Sequence, residues 1–209
     1  MCYYTQQIKT PLELKQFYNR EIDNSDNVLQ SDFINGFSYP NIPVILDNEL
    51  EIISTNFTWG LIPTNKDKDF RKNTLNAKVE TINDKVSFSP SVNNRCLIIV
   101  SAYYDWHWND PKGKSKTKFE VHSNIDELFF LAGIYNSWLD KNGETWNTYS
   151  IVTTEANDQM KYIHNRKEAE NDQRMPIIIN KSDEDTWLNA KNNPLEFAYP
   201  NYKPTIIAF

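Results

Sequence analysis

The chain is predicted to fold as an α+β protein, a single domain over residues 1–209 with a mostly antiparallel, barrel-like β core and short peripheral helices. Three features of the sequence point there. Strand-length apolar runs outnumber helical ones, the helical stretches are short, and no βαβ alternation links them. Pro11 followed by Leu12, Leu14, Phe17 and Tyr18 reads as a short helix with proline in its first turn. Asn24 to Asn35 is polar and reads as a loop. Ile42–Leu46 and Glu51–Phe57 are strand candidates, joined by the turn signal Asp47-Asn48. Leu97–Tyr104 has the β-branched character and length of one buried strand. Asp110-Pro111-Lys112-Gly113 reads as a turn, and Phe119–His122 alternates as a half-exposed strand does. Leu128–Ile134, Thr148–Thr153 and Ile177–Ile179 are further strands. Between the last two, Ala156, Met160 and Ile163 recur at helical spacing. Ser182 opens a last helix over Asp183–Asn189.

Composition narrows the function classes. A 39% hydrophobic and 13% aromatic content, with six Trp and eleven Tyr, describes a chain that buries a core. No apolar run reaches the roughly 18 residues of a membrane span, and the first residues lack a basic-then-apolar signal, so a cytoplasmic, nucleoid-associated location is expected. Cys2 and Cys96 are the only cysteines, too few for a disulfide framework or a cysteine-rich zinc site. No metal and no cofactor is expected, and the chain is expected to be a monomer. The net charge of −6 argues against bulk charge-driven binding to nucleic acid, although Lys66, Lys68, Arg71, Lys72 and Lys78 form a local basic cluster.

The chemistry starts at the second residue. Removal of Met1 would leave Cys2 with a free α-amine and a thiol on adjacent carbons, both partly nucleophilic near neutral pH. Such a 1,2-aminothiol condenses with an aldehyde to a Schiff base and closes to a five-membered thiazolidine. It can also act as an N-terminal nucleophile whose own amine is the base. Against this stands a chance cysteine in a frayed terminus. Three more places combine polar chemistry with ordered surroundings. Asn76-Ala77-Lys78-Val79-Glu80-Thr81 sets an amide, a cation and a carboxylate close together. Arg95 to Val100 runs into Tyr103-Tyr104-Asp105-Trp106, a carboxylate set among aromatics and suited to acid–base work. Thr153-Thr154-Glu155-Ala156-Asn157 precedes Ile163-His164 and Arg174-Met175-Pro176. Taken singly, Asn76 also reads as a turn cap, Asp105 as a lysine partner, and His164 as a helix C-terminal histidine. Cys96 reads as a small apolar core residue.

The order of these motifs, with Trp59-Gly60-Leu61-Ile62-Pro63 between the first two, resembles the SRAP family, the SOS-response-associated peptidase domain, also called abasic-site processing proteins. The resemblance runs from Cys2 to about Ile179. It implies a DNA-repair protein that senses abasic sites in single-stranded DNA and is crosslinked to them through its N-terminal cysteine. By that resemblance Asn76 holds the Cys2 amine and the sugar oxygen. Asp105 is the general acid–base in place of the family glutamate, and His164 assists sugar opening and crosslink reversal. Thr153 lies near that histidine. Lys78 meets a phosphate where the family has arginine, without the bidentate fork, and Arg174 belongs to the same DNA-binding set. Trp59 is open to two readings, a ring stacked on a base beside the lesion or a core aromatic. The chain departs from the family in carrying Tyr3-Tyr4 for Gly-Arg, Asp for Glu, and a charged stretch, Asn165 to Gln173, read as a loop insertion. Two other functions remain open: an N-terminal-cysteine amidohydrolase or self-processing peptidase, and a non-catalytic DNA-binding relative.

Overall fold

The computed structural model describes residues 1–166, 173–203 and 205–209. Of the stretch read as an insertion, only Asn165, Arg166 and Gln173 are therefore described, and 167–172 lie outside the described residues. In chain order, β1 (Tyr4–Gln7) leads to α1 (Pro11–Tyr18), β2 (Glu21–Ile22), β3 (Ser31–Asn35), β4 (Val44–Leu46), β5 (Glu49–Ser54), β6 (Thr58–Trp59) and β7 (Asn76–Lys78). The central stretch is β8 (Arg95–Val100), β9 (Ala102–Trp108), β10 (Lys116–Ser123), β11 (Phe129–Leu139) and β12 (Thr145–Glu155). After it come α2 (Asp158–Ile163), β13 (Arg174–Pro176), β14 (Ile178–Ile179), α3 (Glu184–Leu188) and β15 (Ile206–Ala208). The fold is α+β, mostly strands with a few short helices.

The strands form two sheets. One has five strands in the order β15-β10-β9-β1-β3; the other, curled, runs β13-β12-β11-β8-β4-β5-β2, with β6 and β7 added in parallel beside β12. Cys2, just ahead of β1, and Ile34, Tyr103 and Val121 from the first sheet share one buried cluster with Val44, Ile98, Leu131, Tyr149 and Ile151 from the second. The other face of the larger sheet is covered by Leu14 and Tyr18 of α1 and by Trp187 and Leu188 of α3. α1 forms as its sequence dictates. Thr10 and Glu13 make a reciprocal capping box, Pro11 needs no amide partner in the first turn, and Asn19 ends the helix at φ 53°.

Two expectations are corrected. The polar stretch Asn24–Asn35 is not a loop throughout, because Ser31–Asn35 pairs with β1 as an edge strand. Leu97–Tyr104 is not one strand. The chain bends at Ser101, whose N–H donates to the Gln6 carbonyl at 2.8 Å, so Arg95–Val100 pairs in one sheet and Ala102–Trp108 in the other. Both corrections share a cause: pairing partners far along the chain decided what local composition could not. Among the described residues no helix is long and apolar enough to cross a membrane.

The neighbouring strand β8 demands a small residue at Gly133 of β11, where a Cβ would meet Ile98 Cδ1 at 2.4 Å and Cys96 Sγ at 2.7 Å. Gly133→Ala should therefore overpack the core, costing about 1–3 kcal/mol. Thermal unfolding followed by circular dichroism should show a lowered Tm, and an unchanged Tm would mean that Ile98 and Cys96 can yield.

Candidate active site

Cys2 lies just ahead of β1 and is buried, 1% exposed. It is held there because β1 is an inner strand: Tyr4 pairs with Asn35 on one side and with Tyr104 on the other. The Gly36 N–H donates to the Tyr3 carbonyl at 2.8 Å, fixing the residue between. Asn76, at the start of β7, donates from Nδ2 to the Cys2 carbonyl at 2.8 Å. Its Oδ1 is buried and accepts nothing from the described residues. β7 reaches this point by pairing with β12, Asn76 opposite Ile151 and Lys78 opposite Thr153.

Asp105 sits on β9, and its Oδ1 accepts from the Trp106 N–H at 2.8 Å. His164 caps the C-terminal end of α2, and its Nδ1 lies 2.9 and 3.0 Å from the two Asp105 oxygens. A carboxylate facing Nδ1 keeps the neutral ring's proton there and leaves Nε2 as its acceptor. Asp105, His164 and Met1 line one open cleft of about 520 Å3, with Tyr3, Tyr4, Phe37, Trp106 and Trp108 on its walls. Burial, opposed in part by the nearby N-terminal amine, pushes the Cys2 thiol up to about 12, and the Asp105 charge adds to the rise. With Met1 in place the thiol is thus a protonated, sequestered group.

Cys2, Asn76, Asp105 and His164 accordingly converge from four separate segments. Thr153 and Arg174 lie in the interior instead. Thr153 donates through Oγ1 to the Ala77 carbonyl at 3.3 Å. Arg174, 6% exposed, donates from Nη2 to Glu80 Oε2 at 2.6 Å and to the Thr153 carbonyl at 2.7 Å. That makes Arg174 a tie between β13, β12 and the segment after β7 rather than a phosphate contact, since its charge is already neutralised. Of the two readings of Trp59, the core one holds. Its ring is fully buried, stacks with Tyr149 at 6.5 Å between centroids, and donates from Nε1 to the Leu75 carbonyl at 2.8 Å. No face is left for a base. Lys78 is exposed.

Residues not singled out in the sequence hold the histidine in place. The Trp108 N–H donates to Asn165 Oδ1 at 2.7 Å, and Asn165 Nδ2 donates back to the Trp108 carbonyl at 2.9 Å. His107 Nε2 accepts from the same amide at 3.2 Å, so its Nδ1–H donates to the Tyr162 carbonyl at 2.6 Å. These bonds fasten the end of α2 to β9, which is why His164 meets Asp105. Nothing local marks Asn165 for this, because its partner is the backbone of a residue far away in sequence.

The profile of the family described as SOS response associated peptidase (SRAP) matches residues 1–205. The chain belongs to the SRAP family. Its relatives include the abasic site processing protein YoqW of Bacillus subtilis, 35% identical over 148 residues, which are 70% of this chain and 62% of YoqW. YoaM of the same organism, also named an abasic site processing protein, is 37% identical over 66% of this chain and 58% of its own length. This SRAP chain thus spans only about three-fifths of the Bacillus relatives it matches. A crystal structure of a Bacteroides thetaiotaomicron protein superposes with a TM-score of 0.85 and 28% identity, covering 100% of this chain and 91% of that one.

The thiol's burial is testable directly. At pH 9 a free thiol is about half ionised, whereas a group titrating near 12 is ionised to roughly one part in a thousand. Iodoacetamide should therefore alkylate the folded, Met1-bearing protein at least about 100-fold more slowly than the unfolded one. Intact mass should show two carbamidomethyl groups only after unfolding. Fast single labelling of the native protein would show an exposed, ionisable Cys2.

Proposed function

We propose that this SRAP chain captures abasic sites in single-stranded DNA as a covalent thiazolidine on Cys2 after Met1 has been removed. The names of its relatives support the substrate. The observation that carries the reading is the Asn76 amide: its Nδ2 holds the Cys2 carbonyl while its buried Oδ1 has no donor. A buried acceptor without a partner is costly. The α-amine that Cys2 gains on losing Met1 is the donor suited to it. Because Met1 itself lines the cleft with Asp105 and His164, its departure opens the cleft toward Cys2.

The steps balance as a loss of one water. His164 Nε2, its ring held by Asp105, takes the proton of the sugar C1 hydroxyl and returns it to the ring oxygen as the C1–O bond breaks, giving the aldehyde. The Cys2 amine adds to the aldehyde carbon, and its two protons pass through the Asp105–His164 pair to the carbonyl oxygen, which leaves as water, giving the imine. The Cys2 sulfur then bonds to the imine carbon, and the thiol proton ends on the nitrogen. A thiol held protonated by burial requires such a base, and the coupled pair is the one in reach. Lys78, exposed at the end of β7, would meet a phosphate of the strand as a point charge.

Met1-free protein mixed with a single-stranded oligonucleotide bearing one abasic site should give a heat-stable shifted band on a denaturing gel. Its intact mass should equal the sum of the two minus one water. Cys2→Ala should give no band. Asn76→Ala should slow capture roughly ten- to a hundredfold, the loss of a hydrogen bond to a charged group of about 1.5–3 kcal/mol. Absence of any adduct from Met1-free protein would overturn the proposal in favour of an amide substrate or a silent module.

A further inference from the structure

The two faces of the five-stranded sheet differ in kind. Tyr103 and Val121 point into the core, whereas Tyr104, Trp106 and Trp108 on β9 and Lys116 and Lys118 on β10 take the other parity and face away from it. Lys118 pairs with Trp106 and Lys116 with Trp108 across the ladder. Rings from β1 and β3 join this outer face. Tyr4 stacks with Phe33 at 5.0 Å and meets Trp106 edge-on at 4.9 Å, and Phe33 lies 5.4 Å from Tyr104. Phe33 is 46% exposed, although it belongs to a strand with little other apolar surface. Lys116 stands 5.1 Å above the Trp108 ring and Lys118 4.5 Å above Tyr104. Neither lysine has a carboxylate partner among the described residues. Glu120, the acid on the same face, is engaged by His122 at 2.9 Å.

Tyr104, 3% exposed, supports the row from beneath, while Tyr4, Phe33, Trp106 and Trp108 keep ring surface open beside the unneutralised lysines. Such a row fits one kind of occupant: an unpaired strand, whose bases stack on the open rings while its phosphates meet the lysines. Duplex DNA hides its base faces, and a protein partner gives no reason to alternate rings with cations. The face also runs into the cleft, since Tyr4, Tyr104, Trp106, Trp108 and Lys116 line it together with Asp105 and His164. We propose that this outer sheet face is a base-stacking platform for the undamaged single-stranded DNA that continues out of the cleft, with Phe33 as its outermost ring and Lys116 and Lys118 as its phosphate contacts. The direction of the strand rests on the capture reading above; the stacking does not. The platform accounts for strand binding by a chain of net charge −6 that has Tyr3-Tyr4 at its cleft.

The test uses Met1-free protein and a short, labelled, undamaged dT oligonucleotide, followed by fluorescence anisotropy. Phe33→Leu keeps an apolar side chain on the exposed strand and removes the ring, so Kd should rise about fivefold or more, while Phe33→Tyr should stay within about twofold of the parent. Lys116→Gln and Lys118→Gln should each make the slope of log K against log salt shallower by about 0.7. Unchanged dT affinity in Phe33→Leu, or an unchanged salt slope in both lysine variants, overturns the platform. Tighter binding of an rU oligonucleotide than of dT overturns its assignment to DNA. Adduct formation on an abasic oligonucleotide is read on the same proteins. Adducts without any Phe33 effect on dT remove the platform and leave the capture; a Phe33 effect without adducts keeps the platform and removes the capture.

Discussion

The first residues of most chains fray, yet here Cys2, one residue from the terminus, is 1% exposed and fixed. That follows from residues Tyr4–Gln7 forming an inner strand, bonded to β9 on one side and β3 on the other. Two ladders leave the strand no freedom to slip by one residue, which would exchange Tyr4 on the outer face with Thr5 on the core face. Everything else near the site is referred to that register. β9 carries Asp105, β12 carries the pairing for Asn76, and α2 is fastened to β9. A terminal nucleophile attached to a loose strand would meet none of them at a fixed distance.

How much of this could be read beforehand differs between levels of structure. Long apolar segments such as Phe129–Leu139 and Thr145–Glu155 contain enough buried side chains to identify themselves, and Pro11 and the Ala156-Met160-Ile163 spacing marked their helices. The strands that build the five-stranded sheet were harder. Ser31–Asn35 has one buried residue, Ile34, and is a strand because β1 needs a partner on its outer edge. The break at Ser101 has no turn residue to announce it. Ala102 to Trp108 changes sheet because the Ser101 amide finds the Gln6 carbonyl, a contact made across the fold.

The grouping of the candidate residues was legible in the order of the motifs. Cys2, Asn76, Asp105 and His164 are scattered over the sequence and come together in space, as the order of the motifs and the family resemblance implied. The site was illegible where a residue's role depends on its surroundings. Trp59 and Arg174 have side chains that suit DNA, but an indole with a carbonyl at 2.8 Å and a guanidinium with a carboxylate at 2.6 Å are bound to their own protein. Glu80, which neutralises Arg174, lies in the same box as Asn76, so one short segment both sets the Asn76 amide against Cys2 and anchors the strand behind it.

The shorter carboxylate at Asp105 brings these threads together. An aspartate reaches one methylene less far than the glutamate the family resemblance implies, and catalytic geometry is sensitive on that scale. In this chain the histidine lies directly against the acid. The Asn165 amide pairs with the Trp108 backbone as a neighbouring strand would, and the His107 ring holds the Tyr162 carbonyl, so the last turn of α2 is drawn onto β9. His164 then lies within 3.0 Å of both carboxylate oxygens despite the lost methylene. The amide that achieves this is the first residue of the stretch read as an insertion. That departure from the family pattern therefore begins with the contact that secures His164.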